Sequence, residues 1–100
     1  GVWARHVKGL KLVNVTFTLD SNDKRPAFIC EDGKDIELTG WKIPETSNAP
    51  AIIRLQHVEK ARISNMNVKG TADVFVSVEG NSKGIELSKN KTPGVKTKLK

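Results

Sequence analysis

The sequence predicts an all-β chain wound into a right-handed parallel β-helix of three to four coils. Three observations predict it. An apolar triplet recurs four times at nearly constant spacing, and an apolar pair precedes each triplet at a nearly fixed distance. A column of outward charges alternates in sign when the repeats are laid over one another. Repeats of this length are the signature of stacked units that bury their apolar residues against their neighbours.

The triplets are Leu10-Lys11-Leu12, Ile36-Glu37-Leu38, Ala61-Arg62-Ile63 and Ile85-Glu86-Leu87, spaced 26, 25 and 24 residues apart. The pairs ahead of them are Val2/Ala4, Phe28/Cys30, Ile53/Leu55 and Val76/Val78. Six residues separate pair from triplet in the first three units, and seven separate Val78 from Ile85. A third apolar set follows in the first three units: Val15/Phe17, Trp41/Ile43 and Met66/Val68. Asn14, Gly40 and Asn65 stand between triplet and third set, and these residue types suit bends. Each unit thus reads as three short strands with period-two alternation. The variable part is long in Thr18–Arg25, intermediate in Pro44–Pro50 and short in Lys69–Asp73, which marks a loop on one face.

Register has an electrostatic check. Strands of adjacent coils lie about 4.8 Å apart. The outward triplet residues then stack as Lys11, Glu37, Arg62 and Glu86, alternating in sign, and a second column reads Arg5, Glu31, Gln56 and Glu79. Opposite charges on neighbouring strands contribute roughly 0.2–1 kcal/mol each, whereas like charges oppose pairing. An antiparallel β-sandwich also suits about ten short strands, but it explains neither the spacing nor the column.

Composition limits function. One hundred residues make a single domain or a piece of one, and 37% hydrophobic with 28% charged residues suits a globular chain. No apolar run spans a bilayer and no signal-peptide pattern opens the chain, so no membrane role is expected. The lone Cys30 leaves no intramolecular disulfide and no Cys-rich zinc site, and no cofactor is expected. The net charge of +6 sits mostly in the tail, where Lys89, Lys91, Lys96, Lys98 and Lys100 meet no acid. Residues 1–88 hold twelve basic and eleven acidic residues, so the footprint of a nucleic-acid binder is missing. The coils are assigned to residues 1–88, and 89–100 to a basic tail that is either a solvated terminus or a lysine-guarded edge cap. With apolar inward positions from Val2 onward, the coils are expected to be part of a longer solenoid. Alone, they are expected to stack end to end.

The stretches Trp3-Ala4-Arg5-His6-Val7-Lys8-Gly9-Leu10, Asn14-Val15-Thr16-Phe17, Arg25-Pro26-Ala27-Phe28-Ile29-Cys30-Glu31-Asp32 and Ile36-Glu37-Leu38 resemble the C-terminal coils of bacterial glycoside hydrolase family 28-like proteins. This is the polygalacturonase family, and the resemblance covers about residues 1–88. It implies a right-handed parallel β-helix, a periplasmic or extracellular parent and inverting hydrolysis of pectic polymers, which needs a carboxylic acid and a more distant carboxylate base. The family's Asn-Thr-Asp, Asp-Asp, Gly-His-Gly and Arg-x-Lys motifs are all missing here, so no catalytic residue carries over. The expected role is a non-catalytic portion that stabilises or extends the parent's helix, with the upstream coils as its partner. The alternatives are a carbohydrate-binding solenoid module and a purely structural segment.

Four residues are candidates for contact with a pectic oligosaccharide. Trp3, outward by alternation, suits stacking on a sugar ring, while Arg5, Arg25 and Arg54 suit a uronate carboxylate. Trp41 and Cys30 fall at inward positions and read as core. Glu31 and Asp32 point to opposite faces of a strand, which is wrong for a shared acid–base task. His6, Asp32 and His57 are equivalent turn residues, and three groups in line do not make a tetrahedral metal site.

Overall fold

The computed structural model describes residues 2–17, 26–44 and 49–100. Its strands are β1 (Val2–Lys8), β2 (Lys11–Val13), β3 (Phe28–Thr39), β4 (Lys42–Ile43), β5 (Ala49–Ser64), β6 (Asn67–Val68), β7 (Thr71–Glu79), β8 (Lys83–Ser88) and β9 (Gly94–Leu99). All the pairings between these strands are parallel. One sheet runs β1-β3-β5-β7-β9, with β2 on β3 and β8 on β5, and β4 pairs with β6 in a second. The chain is a β-solenoid of about three turns.

Its register follows the repeat. Lys11 lies on Glu37, Glu37 on Arg62 and Arg62 on Glu86. Leu12, Leu38, Ile63 and Leu87 form one column, and Ala4, Cys30, Leu55 and Val78 another. The second and third coils supply most of the fully buried side chains, including Phe28, Leu38, Trp41, Ile53, Leu55 and Ile63. Burial of this kind is the main stabilising term in folding.

Corners explain how strands turn so sharply. Each of the four sequence repeats has three residues with positive φ: His6, Gly9 and Asn14; Asp32, Asp35 and Gly40; His57, Lys60 and Asn65; Gly80, Gly84 and Lys89. They fall at equivalent places in successive repeats and so stack as three columns. Asn14, Gly40 and Asn65 are thus bends as expected. Left-handed geometry is unfavourable for L-residues and least so for Gly, Asn and Asp, so His57, Lys60 and Lys89 are held there by the coils around them. The extra residue of the fourth unit falls between Gly80 and Gly84, where Ser82 Oγ accepts from Val58 N at 2.9 Å and donates to Glu79 O at 2.9 Å.

Two features differ from the sequence reading. Strands begin earlier than expected: Thr71–Asp73 belong to β7, and Ala49 and Pro50 to β5. Ala49 and Ala72 pair, so the ladder extends into the expected loop. Alternation also breaks, because Ala27-Phe28, Ile52-Ile53 and Phe75-Val76 are each buried together in the core. Of the two readings of residues 89–100, the structure has the edge strand, which continues the winding. Lys91 bridges Asn67, and β9 pairs Gly94, Val95, Thr97 and Leu99 with Thr71, Ala72, Val74 and Val76. The expected loop Thr18–Arg25 lies outside the described residues.

Candidate functional site

The outward face of β1, β3, β5 and β7 carries three of the four sequence candidates. Alternation turns Ala4 inward and leaves Trp3 outward, 63% exposed. The guanidinium of Arg5 sits over the Trp3 ring at 5.3 Å, a cation–π contact. Arg5 Nε also donates to Glu31 Oε2 at 2.9 Å. Arg54 occupies the Trp3 column two coils along, through Ile29. Its Nη2 reaches Glu79 at 3.2 Å and 3.3 Å. Arg25, the fourth candidate, lies outside the described residues.

Both described candidate arginines are therefore engaged by carboxylates. A uronate would have to displace Glu31 or Glu79, and the exchange of one carboxylate for another yields little net energy. The Arg54–Glu79 pair escaped the sequence reading because it is diagonal: Arg54 faces Ser77 and Gln56 faces Glu79. Long side chains span such diagonals. The direct pairs Lys11–Glu37 at 3.3 Å, Arg62–Glu86 at 3.5 Å and Lys83–Glu59 at 3.7 Å follow from register.

The first corner column is polar. His6 Nδ1 and Asp32 Oδ2 are 2.7 Å apart, both well exposed. Asn81 N donates to His57 Nδ1 at 3.4 Å, and the His57 ring packs on Gly80, where a Cβ would meet it at 2.5 Å. Glu31 and Asp32 thus serve different partners, Arg5 and His6. Among the described residues no group of three His, Cys, Asp or Glu side chains is placed to hold a metal ion. A shallow groove of about 460 Å³ runs along the second corner between Asp35, Glu37, Lys60, Arg62, Gly84 and Glu86.

Beneath this face lies Cys30, fully buried between Ala4 and Leu55. Burial pushes its thiol pKa up, and the carboxylates of Asp32 and Glu31 push the same way. A thiol held protonated and covered is inert. Trp41 is core: its ring meets Phe17 at 5.2 Å and Phe28 at 5.7 Å, and its Nε1 donates to Leu12 O at 3.1 Å. That bond satisfies the buried indole, which alternation alone does not specify.

No family model, curated protein or solved structure matches this chain.

Proposed function

We propose that this chain is a non-catalytic β-solenoid module of a pectin-degrading, polygalacturonase-like glycoside hydrolase, whose coils it stabilises and lengthens. The observation that carries the module role is the open first rung. β1 and β2 pair only with β3, leaving the other side of each strand unbonded among the described residues. Val2, Ala4, Val7, Leu10, Leu12, Val15 and Phe17 are only partly buried there. A rung of this kind suits a further coil, because stacking buries apolar surface and fills strand bonds at once. The hydrolase parent, its periplasmic or extracellular setting and its upstream coils as partner rest on the sequence resemblance.

The non-catalytic role rests on the missing motifs and on the divergence of Glu31 and Asp32. Incubation of the chain with polygalacturonate, followed by reducing-end release, is expected to show no turnover above buffer. Release that scales with protein concentration would overturn the reading.

A second reading, a carbohydrate-binding module, draws on the exposed Trp3 beside Arg5. It predicts a saturable change in tryptophan fluorescence with oligogalacturonate that disappears in Trp3→Ala. The engaged arginines favour the first reading, for which no saturable change is expected.

A further inference from the structure

We propose that the outward face of the β4–β6 sheet binds a carboxylated polysaccharide, with Lys42, Lys69 and Lys91 receiving its carboxylates. The choice of polygalacturonate as that polymer rests on the pectin reading. The basic face itself does not, and it is distinct from the face that carries Trp3.

Charge divides the molecule. Every described acid belongs to a strand of the seven-stranded sheet. Every ion pair among the described residues lies there too. Residues 14–17, 40–44, 65–70 and 89–93, which form the β4–β6 face and its first border, contain no Asp or Glu. They contain Lys42, Lys69, Lys89 and Lys91, all exposed. Two of these lysines come from the segment that sequence alone assigns to the tail, and the winding carries them onto this face.

Register places the lysines. Thr16 bridges Lys42, Lys42 pairs with Asn67, and Asn67 bridges Lys91, so the four form one outward column. Lys42 and Lys91 are two coils apart, about 10 Å, with an uncharged side chain between them. Like charges directly opposite would repel. At this spacing, close to the Debye length of about 8 Å in physiological salt, their repulsion is largely screened. Lys69 stands two residues beyond Asn67, so alternation returns it to the same face. Lys89 holds the bordering corner, at φ 55°.

The groove on this face suits a sugar. It has a volume of about 220 Å³. The Thr16 hydroxyl and Asn67 amide line it beside Lys42 and Lys69, with Phe17 and Pro44 as apolar lining. Hydroxyl and amide groups match sugar hydroxyls, the ammonium groups match uronate carboxylates, and the apolar lining matches a ring's C–H face. Other polyanions fit less well. The face holds no Arg, and its aromatic residues Phe17 and Trp41 are turned into the core, so no platform stacks bases. The exposed large hydrophobics Trp3, Val13 and Leu99 all lie on the other sheet, so nothing here inserts into a lipid surface. Protein interfaces are depleted in lysine.

The test is calorimetric titration of the chain with a galacturonate oligomer, beside two variants of equal charge. One carries Lys42→Gln, Lys69→Gln and Lys91→Gln. The other carries Lys8→Gln, Lys34→Gln and Lys60→Gln, lysines of the larger sheet that also lack an ion pair among the described residues. The wild type should bind, and more weakly as salt rises. The first variant should bind about tenfold or more weakly, and the second within about threefold of wild type. Amide-shift mapping on the wild type needs no variant: the largest shifts should fall on Lys42, Asn67, Lys69 and Lys91. Tryptophan fluorescence should stay unchanged, since Trp3 lies on the other sheet and Trp41 is wholly buried. A wild type that does not bind overturns the proposal, as do equal losses in the two variants or shifts centred on another face. Single-stranded DNA, anionic vesicles or neutral dextran binding as tightly as the oligomer overturns it as well. Absence of binding leaves the module reading standing, because stabilising neighbouring coils needs no ligand. Turnover of polygalacturonate overturns that reading and leaves the basic face untouched.

Discussion

Leu12 and Leu38 hold the same place in successive coils, yet Leu38 is wholly buried and Leu12 is not. The first coil and the second carry one pattern and differ only in what lies above and below them. The second is sandwiched between neighbours, whereas among the described residues the first has a neighbour on one side only. In a stacked architecture, stability is close to a sum of repeat terms and nearest-neighbour terms. The difference teaches that an inward residue contributes according to how many coils flank it, not according to its position within the repeat. The far end differs again. There Lys96 pairs with Asp73 at 3.8 Å along β9, and lysines alternate with Val95, Thr97 and Leu99. Edge lysines discourage indiscriminate strand pairing.

The sharpest way to break that comparison is to delete the same side chain in both coils. Leu38→Ala should cost about 2–5 kcal/mol in urea unfolding, the range for a buried leucine. Leu12→Ala should cost about half as much or less, because part of its surface is already in water. Equal losses would mean that the first coil is covered or that the second is not. Next in size is Gly33→Ala. Its new Cβ would lie 2.7 Å from Cys30 Sγ inside the second coil. The expected loss is about 1–3 kcal/mol, the range for overpacking, and Cys30→Ala in the same chain should recover most of it. Two independent losses that simply add would contradict the contact. The smallest effect is on the surface. Glu37→Lys sets like charges against Lys11 and Arg62, and should cost about 0.5–1.5 kcal/mol at low salt, shrinking as salt rises. Glu86→Lys, at the last rung, faces Arg62 alone and should cost less.

Much of this architecture can be read directly from residue order. Spacing and sign alternation at Lys11, Glu37, Arg62 and Glu86 specify register, because a shift of one residue would turn every inward side chain out. Asn14 and Asn65 mark corners through a chemistry that tolerates positive φ. His57 and Lys60 occupy corners too, but their residue types carry no such signal, and stacking imposes the geometry on them. Burial of Phe75 beside Val76 breaks alternation, so period-two reading assigns one of the two to solvent. β9 was ambiguous because its lysines suit a free tail as well as an edge strand, and only pairing with β7 decides. Of the candidate surface, the exposure of Trp3 followed from alternation. The engagement of Arg54 by Glu79 did not, since it crosses the ladder diagonally.

Layered register is tested most directly by methyl–methyl NOE spectroscopy on Leu12, Leu38, Ile63 and Leu87. Parallel stacking at about 4.8 Å per coil predicts cross-peaks between successive members, Leu12 with Leu38, Leu38 with Ile63 and Ile63 with Leu87, and none that skips a coil. Loss of those neighbour contacts, or close cross-strand Hα–Hα contacts of antiparallel pairing between the same segments, would contradict it.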